Sequence, residues 1–321
     1  MALLLLACGN SNSREAGSSD AGSGGSGGQP SADGGMMEAG AIDSDSASDA
    51  RASDGDVSDG DGPTDGDVGV SDGDGGVSDG GPPATLRVWP LGDSITFGYN
   101  GANAGYRGPL YNLFKSAAPG WLYVGTSVEG AVTATVDPLP ASQWHNEGHG
   151  SYTINDINNN LDGLDATEFN LYGETYRDPN GGHWLDGITS GAHARPALYP
   201  DIILLMIGTN NANDVDRTAV RDQLHALITK ITTMRPDAKL IVAQITPSNR
   251  PNNVSYNTIV AREVEIFKAI GKQVSLVDMY TNFPADALHS DGVHLIDKGF
   301  TFMAQQWRDA IVAVMPTLKA P

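Results

Sequence analysis

The sequence predicts an α/β domain built on a doubly wound parallel sheet and preceded by a disordered tail. From about residue 84 onward, apolar runs of strand length alternate with amphipathic stretches of helix length. The runs are nearly continuous in apolar character, as expected for parallel strands that helices cover on both faces. Residues 9–83, in contrast, contain no aromatic residue and almost no Leu, Ile or Phe.

The predicted tail, residues 9–83, is a low-complexity linker rich in Asp, Gly and Ser. It holds 16 Asp and Glu residues against two Arg, which gives −14 of the formal charge of −20, and 20 of the 40 glycines. Such a composition cannot bury enough apolar surface to offset the entropy lost on ordering the backbone. We therefore expect a flexible tether, extended by repulsion between its Asp side chains.

The first eight residues, MALLLLAC, resemble the end of a bacterial lipoprotein signal peptide, where Leu-Leu-Ala-Cys precedes a small residue. We interpret residues 1–8 as only part of such a lipoprotein-type signal, since the positive n-region is missing and the apolar run is short. The resemblance implies a lipid anchor on Cys8 and an extracytoplasmic place, at the cell envelope or secreted. A membrane is then a partner through that lipid; the alternative is a chance cysteine in a ragged N-terminus.

The predicted domain covers residues 84–321 and begins with a strand at 86–92 and a helical pattern around 107–117. Further strand candidates follow at 121–127, 201–208, 239–246 and 274–280. Apolar residues at helical spacing predict helices at 216–235, near 253–270 and from about 298 to 315. The stretch 162–200 lacks clean periodicity and exceeds an ordinary connection, so we expect a functional loop or small subdomain there. The domain has no basic stripe, which argues against nucleic acid as a partner. We expect the protein to be a monomer.

Polar motifs follow three of the predicted strands: GDS at 92–94, GTNN at 208–211 and SDGVH at 290–294. In doubly wound sheets, ligands bind beyond the carboxyl ends of the strands, so these motifs are expected to share one edge. A serine hydroxyl needs a base to become a nucleophile, and that base needs a partner that fixes its tautomer. Ser94, His294 and Asp291 supply these groups, with the i, i+3 spacing letting the carboxylate reach the imidazole Nδ1.

A serine mechanism also needs preorganised donors for the oxyanion of its tetrahedral intermediate. The backbone N–H of Ser94 is one candidate, and the side-chain amide of Asn210 is another. The turn in NEGHGSYTI, residues 146–154, could present a further backbone N–H. Asn210 has an alternative role as the cap of the following helix, and the two roles can coexist.

The blocks GDSIT, EGH, GTNN and DGVH, in this order and spacing, resemble the four blocks of SGNH hydrolases, also called GDSL-type esterases. More narrowly, GDSITFGY, GYRGPLYNLF, VGTS, NEGHGSYTI and DGVHLIDKGF are similar to carbohydrate esterase family 3, the acetyl xylan esterases, over roughly residues 86–315. The resemblance implies a flavodoxin-like three-layer α/β/α fold with a five-stranded parallel sheet. It also implies ester hydrolysis without metal or cofactor, with Ser94 as nucleophile, Asp291 as acid, His294 as base and Asn210 as oxyanion donor.

The second block departs from this family, whose members read Gly-His-Ser-Gly followed by an aromatic residue. This chain reads Gly-His-Gly-Ser-Tyr at residues 148–152, so that Ser151 stands where the family has its oxyanion glycine. The backbone donor is therefore either Gly150 or Ser151.

Substrate contacts are predicted for Arg107, Trp144, Tyr172 and Trp184, with Tyr176 as a further aromatic. Arg107 has a structural role as its alternative, and the aromatics either stack on sugar rings or pack the loops. The spacing of four histidines fits no compact ligand set, so no metal is expected at His145, His149, His183 or His193.

The residues and the resemblance together predict a serine esterase that removes O-acetyl groups from plant polysaccharide, most plausibly acetylated xylan, through an acyl-enzyme on Ser94. One alternative is an esterase for another short-acyl ester, such as acetylated pectin, a glycoside or a lipid. Another is a non-catalytic surface glycan-binding module.

Overall fold

The computed structural model describes residues 84–163, 167–171, 174–178, 182–190 and 194–318. The predictions for the signal at 1–8 and the linker at 9–83, and those for Tyr172 and His193, therefore lie outside the described residues.

The described chain alternates strands and helices over most of its length. In order, the elements are β1 (Leu86–Gly92), α1 (Ser94–Phe97), α2 (Arg107–Phe114), β2 (Trp121–Tyr123), β3 (Glu147–Gly148), α3 (Ile154–Asn160), β4 (Thr167–Leu171), β5 (Glu174–Asp178), β6 (Ile202–Met206), α4 (Arg217–Met234), β7 (Lys239–Ala243), α5 (Asn253–Ala269), β8 (Val274–Val277) and α6 (Asp297–Val314). Single 3₁₀ turns lie at Ala141–Gln143 and Asn211–Asn213.

Five parallel strands form the main sheet in the order β2-β1-β6-β7-β8, and the two-residue β3 also pairs in parallel with the end of β1. This confirms the predicted three-layer α/β/α fold. Because parallel crossovers are right-handed, the step from β1 to β2 and the steps from β6 through β8 place their helices on opposite faces. The strand order reverses between β1 and β6, and that switch point is where such sheets bind ligands.

The strands read as continuous apolar runs because both of their faces are covered. All five residues of β6 are buried, as are Val88, Trp89 and Leu91 of β1. Gly92 ends β1 for a steric reason: a Cβ there would lie 2.1 Å from the backbone carbonyl oxygen of Met206 in β6. A side chain at this position would push the two central strands apart.

The structure contains elements that the periodicity did not predict. The short helix α3 has an Asn-rich sequence, and a capping box between Thr153 and Asp156 stabilises its first turn. The aperiodic stretch 162–200 includes an antiparallel two-stranded sheet of β4 and β5. None of the helices in the described part of the chain is long and apolar enough to cross a membrane.

Candidate active site

Ser94 is the first residue of helix α1, directly after the β1 strand. The side chain of Asp93 caps this helix, because its Oδ1 accepts the backbone N–H of Ile95 at 3.0 Å. Gly98 ends the helix in the left-handed conformation, with φ of 91°. A single tight helical turn therefore holds Ser94, whose side chain is partly exposed at the carboxyl edge of the sheet.

Ser94, His294 and Asp291 form one line of hydrogen bonds, as the sequence predicts. Ser94 Oγ lies 2.8 Å from His294 Nε2, and His294 Nδ1 lies 2.7 Å from Asp291 Oδ2. A carboxylate only accepts hydrogen bonds, so Nδ1 carries the hydrogen and Nε2 keeps its lone pair toward the serine hydroxyl. This arrangement is suited to removing the proton of Ser94.

Asp291 is held as a carboxylate by its surroundings. Burial would raise its pKa, but hydrogen bonds from the His294 ring and from the backbone N–H groups of Val293 and His294 keep the pKa well below its usual range. Both N–H groups bind Asp291 Oδ1 at 2.9 Å, which leaves Oδ2 directed at the imidazole. Asp291 is thereby held as an acceptor for the hydrogen on His294 Nδ1.

Two further side chains lie against this line and were not predicted. The Tyr99 ring centroid is 4.6 Å from that of His294, and the Tyr99 backbone N–H donates to Ser94 O at 3.0 Å. His289 Nδ1 is 3.3 Å from Asp291 Oδ2. The signal for Tyr99 was its place in GDSITFGY, one helical turn after the serine, but a contact with a residue 195 positions later has no local signature.

Asn210 lies beyond the end of β6, the strand next to β1. It occupies the N-cap position of the 3₁₀ turn Asn211–Asn213, but within the described chain its side chain makes no capping hydrogen bond. Its Nδ2 instead donates to the carbonyl of Tyr152 at 2.8 Å. The side-chain amide is thus tied to the second sequence block, and the capping alternative is not what the structure contains.

The second block forms a tight turn over residues 149–152. The Tyr152 N–H bonds the His149 carbonyl at 3.4 Å, and the His149 N–H bonds the Gly92 carbonyl at 3.1 Å. Ser151 has a φ of 64°, whereas Gly150 is not in the left-handed region. A positive φ at the third position of a turn is a conformation that favours glycine. Ser151 therefore occupies a glycine conformation, and whether it or Gly150 donates to an oxyanion stays a prediction.

The structure contradicts two predicted substrate contacts. Arg107 is fully buried, and its guanidinium donates to the carbonyls of Trp144, Phe97 and Glu129 at 2.7, 3.1 and 3.0 Å. Its role is structural, because it ties helix α2 to two loops. Trp184 is also fully buried, in edge-to-face contact with Trp89 in the core, and has no exposed face for a sugar.

The other predicted contacts stay predictions. Trp144 is half-buried, packs against the core and donates its indole N–H to the Leu139 carbonyl at 3.0 Å. Among the histidines, His145 contacts the Gly125 carbonyl and His183 contacts Asp186. No group of three or more His, Cys, Asp or Glu side chains within the described ranges could hold a metal ion.

A cleft of about 370 Å³ lies at the other edge of the sheet. Its lining includes Arg87, Asp201 and Lys239, which stand at the amino ends of three central strands. It contains none of the residues that converge on Ser94. The Ser94 site lies at the opposite, carboxyl edge of the sheet.

The fold and the site define the class: the chain is a carboxylic ester hydrolase with a three-layer α/β/α fold. It belongs to the GDSL-like lipase/acylhydrolase family, whose model matches residues 91–301.

The relatives agree with this family. The chain is 26% identical over 245 residues to a multidomain esterase of Ruminococcus flavefaciens, which covers 74% of this chain and 30% of that protein. The chain thus spans about a third of that relative's length. A family 3 carbohydrate esterase of Clostridium thermocellum superposes with a TM-score of 0.54 at 26% identity, covering 74% of this chain and all of that one. A Talaromyces cellulolyticus family 3 carbohydrate esterase, at 22% identity, has the same TM-score over 72% and 99% of the two chains and supports the fold alone.

Proposed function

We propose that this chain removes O-acetyl groups from plant polysaccharide, with acetylated xylan as its principal substrate, through an acyl-enzyme on Ser94. The observation that carries the proposal is the line from Ser94 Oγ through His294 to Asp291, with contacts of 2.8 and 2.7 Å. The polysaccharide substrate is supported by the similarity to family 3 carbohydrate esterases.

Acylation begins when Ser94 Oγ attacks the acetyl carbonyl carbon and His294 Nε2 takes the hydroxyl proton. The carbonyl electron pair moves to oxygen, and the resulting imidazolium is stabilised by the Asp291 carboxylate. The intermediate then collapses, the bond to the sugar oxygen breaks, and His294 returns its proton to that oxygen. The deacetylated sugar hydroxyl leaves, and the acetyl group stays on Ser94.

Deacylation repeats these steps with water as the nucleophile. His294 Nε2 takes a proton from water as the oxygen attacks the acetyl carbon, and then returns a proton to Ser94 Oγ as acetate leaves. In both tetrahedral intermediates the oxyanion is bound by the Ser94 N–H, a backbone N–H of Gly150 or Ser151, and Asn210 Nδ2. Such donors each contribute roughly 10²- to 10³-fold in rate.

The test is acetate release from acetylated xylan by the wild type, by Ser94→Ala and by a matched control, Ser255→Ala. Ser255 is an exposed serine on helix α5 and is not part of the site. We expect Ser94→Ala to lose roughly 10⁶-fold in kcat, with a residual rate from the oxyanion donors, and Ser255→Ala to match the wild type. Equal release by wild type and Ser94→Ala would remove the mechanism.

A substrate panel separates the alternatives. Acetate release from acetylated pectin, an acetylated glycoside or a lipid ester, without release from acetylated xylan, would identify an esterase for another short-acyl ester. An organophosphonate probe that fails to label Ser94 in the folded protein would indicate a glycan-binding module, because a binding site has no activated serine.

We also infer that the protein works outside the cytoplasm, attached through a lipid on Cys8 by the linker of residues 9–83. The LLAC sequence at residues 5–8 supports this inference. Labelling with a fatty-acid analogue, compared between wild type and Cys8→Ala, tests it. Unlabelled wild-type protein from a bacterial membrane fraction would contradict it.

A further inference from the structure

A buried acid lies behind the second sequence block. Glu147, in strand β3, has no exposed surface and pairs in register with Leu91 at the end of β1. Its Oε1 accepts the backbone N–H of Thr126, and its Oε2 lies 2.7 Å from His149 Nε2. Both carboxylate oxygens are therefore bound, which a buried charge requires.

The imidazole of His149 is fixed by rings as well as by this acid. It stacks on Tyr152 with centroids 4.5 Å apart and planes at 20°, and on Trp184 at 5.4 Å and 6°. Only 6% of its side chain is exposed. Trp184, from the aperiodic stretch 162–200, thus contacts the second block and not a substrate.

Two residues of this group, His149 and Tyr152, contact the segments that carry the predicted oxyanion donors. The His149 backbone binds the end of β1 and closes the turn that contains Gly150 and Ser151. The Tyr152 carbonyl accepts Asn210 Nδ2. Fixing the His149 ring against Tyr152 therefore fixes both the backbone of the turn and the side-chain amide across from it.

We propose that Glu147 and His149 are positioning residues that hold the oxyanion donors in place for the tetrahedral intermediate. A buried polar contact of this kind is weak evidence for stability, since apolar residues of similar volume often replace even buried ion pairs without loss. Apolar residues would not direct an imidazole ring, whereas a carboxylate bound on both oxygens does. The proposal deepens the esterase mechanism and rests on it.

The principal variant is Glu147→Gln, which keeps the shape and removes the charge. We expect kcat for p-nitrophenyl acetate to fall about 10- to 100-fold, less than the loss of a whole donor, while KM changes less than twofold. Phenylboronic acid forms a tetrahedral adduct with a serine hydroxyl, so its inhibition constant should rise by the factor by which kcat/KM falls. An effect on KM alone would overturn the proposal.

The chain offers a matched control in a second Glu–His pair. Glu263 on helix α5 is 2% exposed, and its Oε2 lies 2.8 Å from Nδ1 of His225 on helix α4, beside the Phe267 ring. Glu263→Gln removes the same charge from a similar contact outside the second block. It should leave kcat and the boronic acid constant within twofold of the wild type; a loss equal to that of Glu147→Gln would assign both effects to stability.

Trp184 gives a second pair of variants that keeps the test independent of Glu147. Trp184→Phe preserves a ring against the imidazole and should lower kcat less than threefold. Trp184→Leu removes the ring and should lower kcat more than tenfold, with circular dichroism showing that the protein is folded. Equal kcat values for the two folded variants would contradict the positioning role.

A double-variant cycle with Asn210→Ala isolates the coupling. Because Glu147 acts in part through Asn210, the double variant should lose less than the product of the two single losses. A double loss equal to the product of the single losses would overturn the proposal. A wild-type protein without turnover or boronic acid binding would instead refute the esterase mechanism itself, so the two failures are distinguishable.

Discussion

Two acid–histidine pairs of the described chain, Asp291–His294 and Glu147–His149, have the same separation and different surroundings. Asp291 to His294 and Glu147 to His149 are both 2.7 Å contacts. The outer pair is accessible, with 20% of the His294 side chain and 37% of the Asp291 side chain exposed. In the inner pair these values are 6% and 0%. Access, and not the strength of the contact, therefore separates the two.

The pairs also differ in which ring nitrogen the acid binds. Asp291 binds Nδ1 of His294, so Nε2, at the far end of the ring, faces the Ser94 hydroxyl. Glu147 binds Nε2 of His149, and aromatic rings stack on that imidazole. The same chemical pair is thus suited to proton transfer in one place and to holding a turn in the other.

The largest effect is expected from breaking the outer pair with Asp291→Asn. An amide can donate to His294 Nδ1 and favour the wrong tautomer, which places a hydrogen on the nitrogen that faces Ser94. We expect kcat for p-nitrophenyl acetate to fall roughly 10³- to 10⁴-fold. Asp286→Asn, at an exposed acid paired with Lys298, is the control and should be unchanged. A tenfold or smaller loss for Asp291→Asn would mean that the outer pair does not set the tautomer.

The next largest effect tests the role of the inner pair through the side-chain amide of Asn210, which donates to the Tyr152 carbonyl. Asn210→Ala should lower kcat about 10²- to 10³-fold with little change in KM, because the lost donor acts on the transition state. Asn112→Ala removes another side-chain amide that donates to a backbone carbonyl, that of Asp137 at 2.9 Å, and should have no effect on kcat. An unchanged kcat in Asn210→Ala would show that Asn210 is not an oxyanion donor, and the inner pair could then not act through it.

A third carboxylate, Asp93, extends the comparison to a buried acid beside the nucleophile. Burial raises its pKa to about 6, although the Ile95 N–H and Thr209 act to lower it. The folded state therefore binds this proton more tightly than the unfolded state, and stability falls as the pH rises from about 4 through 6. A shift of this size corresponds to about 3 kcal/mol.

Urea unfolding of wild type and Asp93→Asn between pH 4 and pH 8 measures this effect. The amide keeps the Oδ acceptor for the helix cap and cannot titrate. We expect the free energy of unfolding of the wild type to fall relative to the variant across this range. Parallel curves would show that Asp93 is ionised in the folded protein throughout.

The smallest effect concerns the turn that the inner pair closes. Ser151→Gly places glycine at a φ of 64° and should raise the free energy of unfolding by about 0.5–1 kcal/mol. Ser255→Gly, inside helix α5, should have the opposite sign, because glycine is unfavourable in helices. Thermal unfolding compares the two; destabilisation by Ser151→Gly would show that the serine side chain stabilises the turn.

The outer pair could be predicted from the sequence because its determinants are local. Asp291 and His294 are three residues apart, and the position of both motifs after strands indicated their shared edge. Most strands and helices of the domain followed from apolar runs and periodicity for a similar reason, whereas the five-stranded flavodoxin-like sheet was implied by the family resemblance. Each of these signals lies within about ten residues.

The inner pair could not be predicted, because its environment is assembled from distant segments. His149 was recognised as part of the second block and as one of four histidines whose spacing fits no metal site, but its ring contact with Trp184 depends on a stretch without periodicity. The burial of Arg107 likewise depends on carbonyls from helix α1 and from two loops. Tertiary packing thus buries side chains, such as Arg107 and Trp184, that the sequence suggested as substrate contacts.

Gly92 sets the spacing between the strands β1 and β6, which carry the two sides of the site. Ser94 follows β1, and Asn210 follows β6, while the absence of a side chain at Gly92 lets these strands meet. One added methyl group would therefore widen the gap between the Ser94 hydroxyl and the Asn210 amide. The absence of a Cβ atom at Gly92 therefore sets the distance between the two sides of the site.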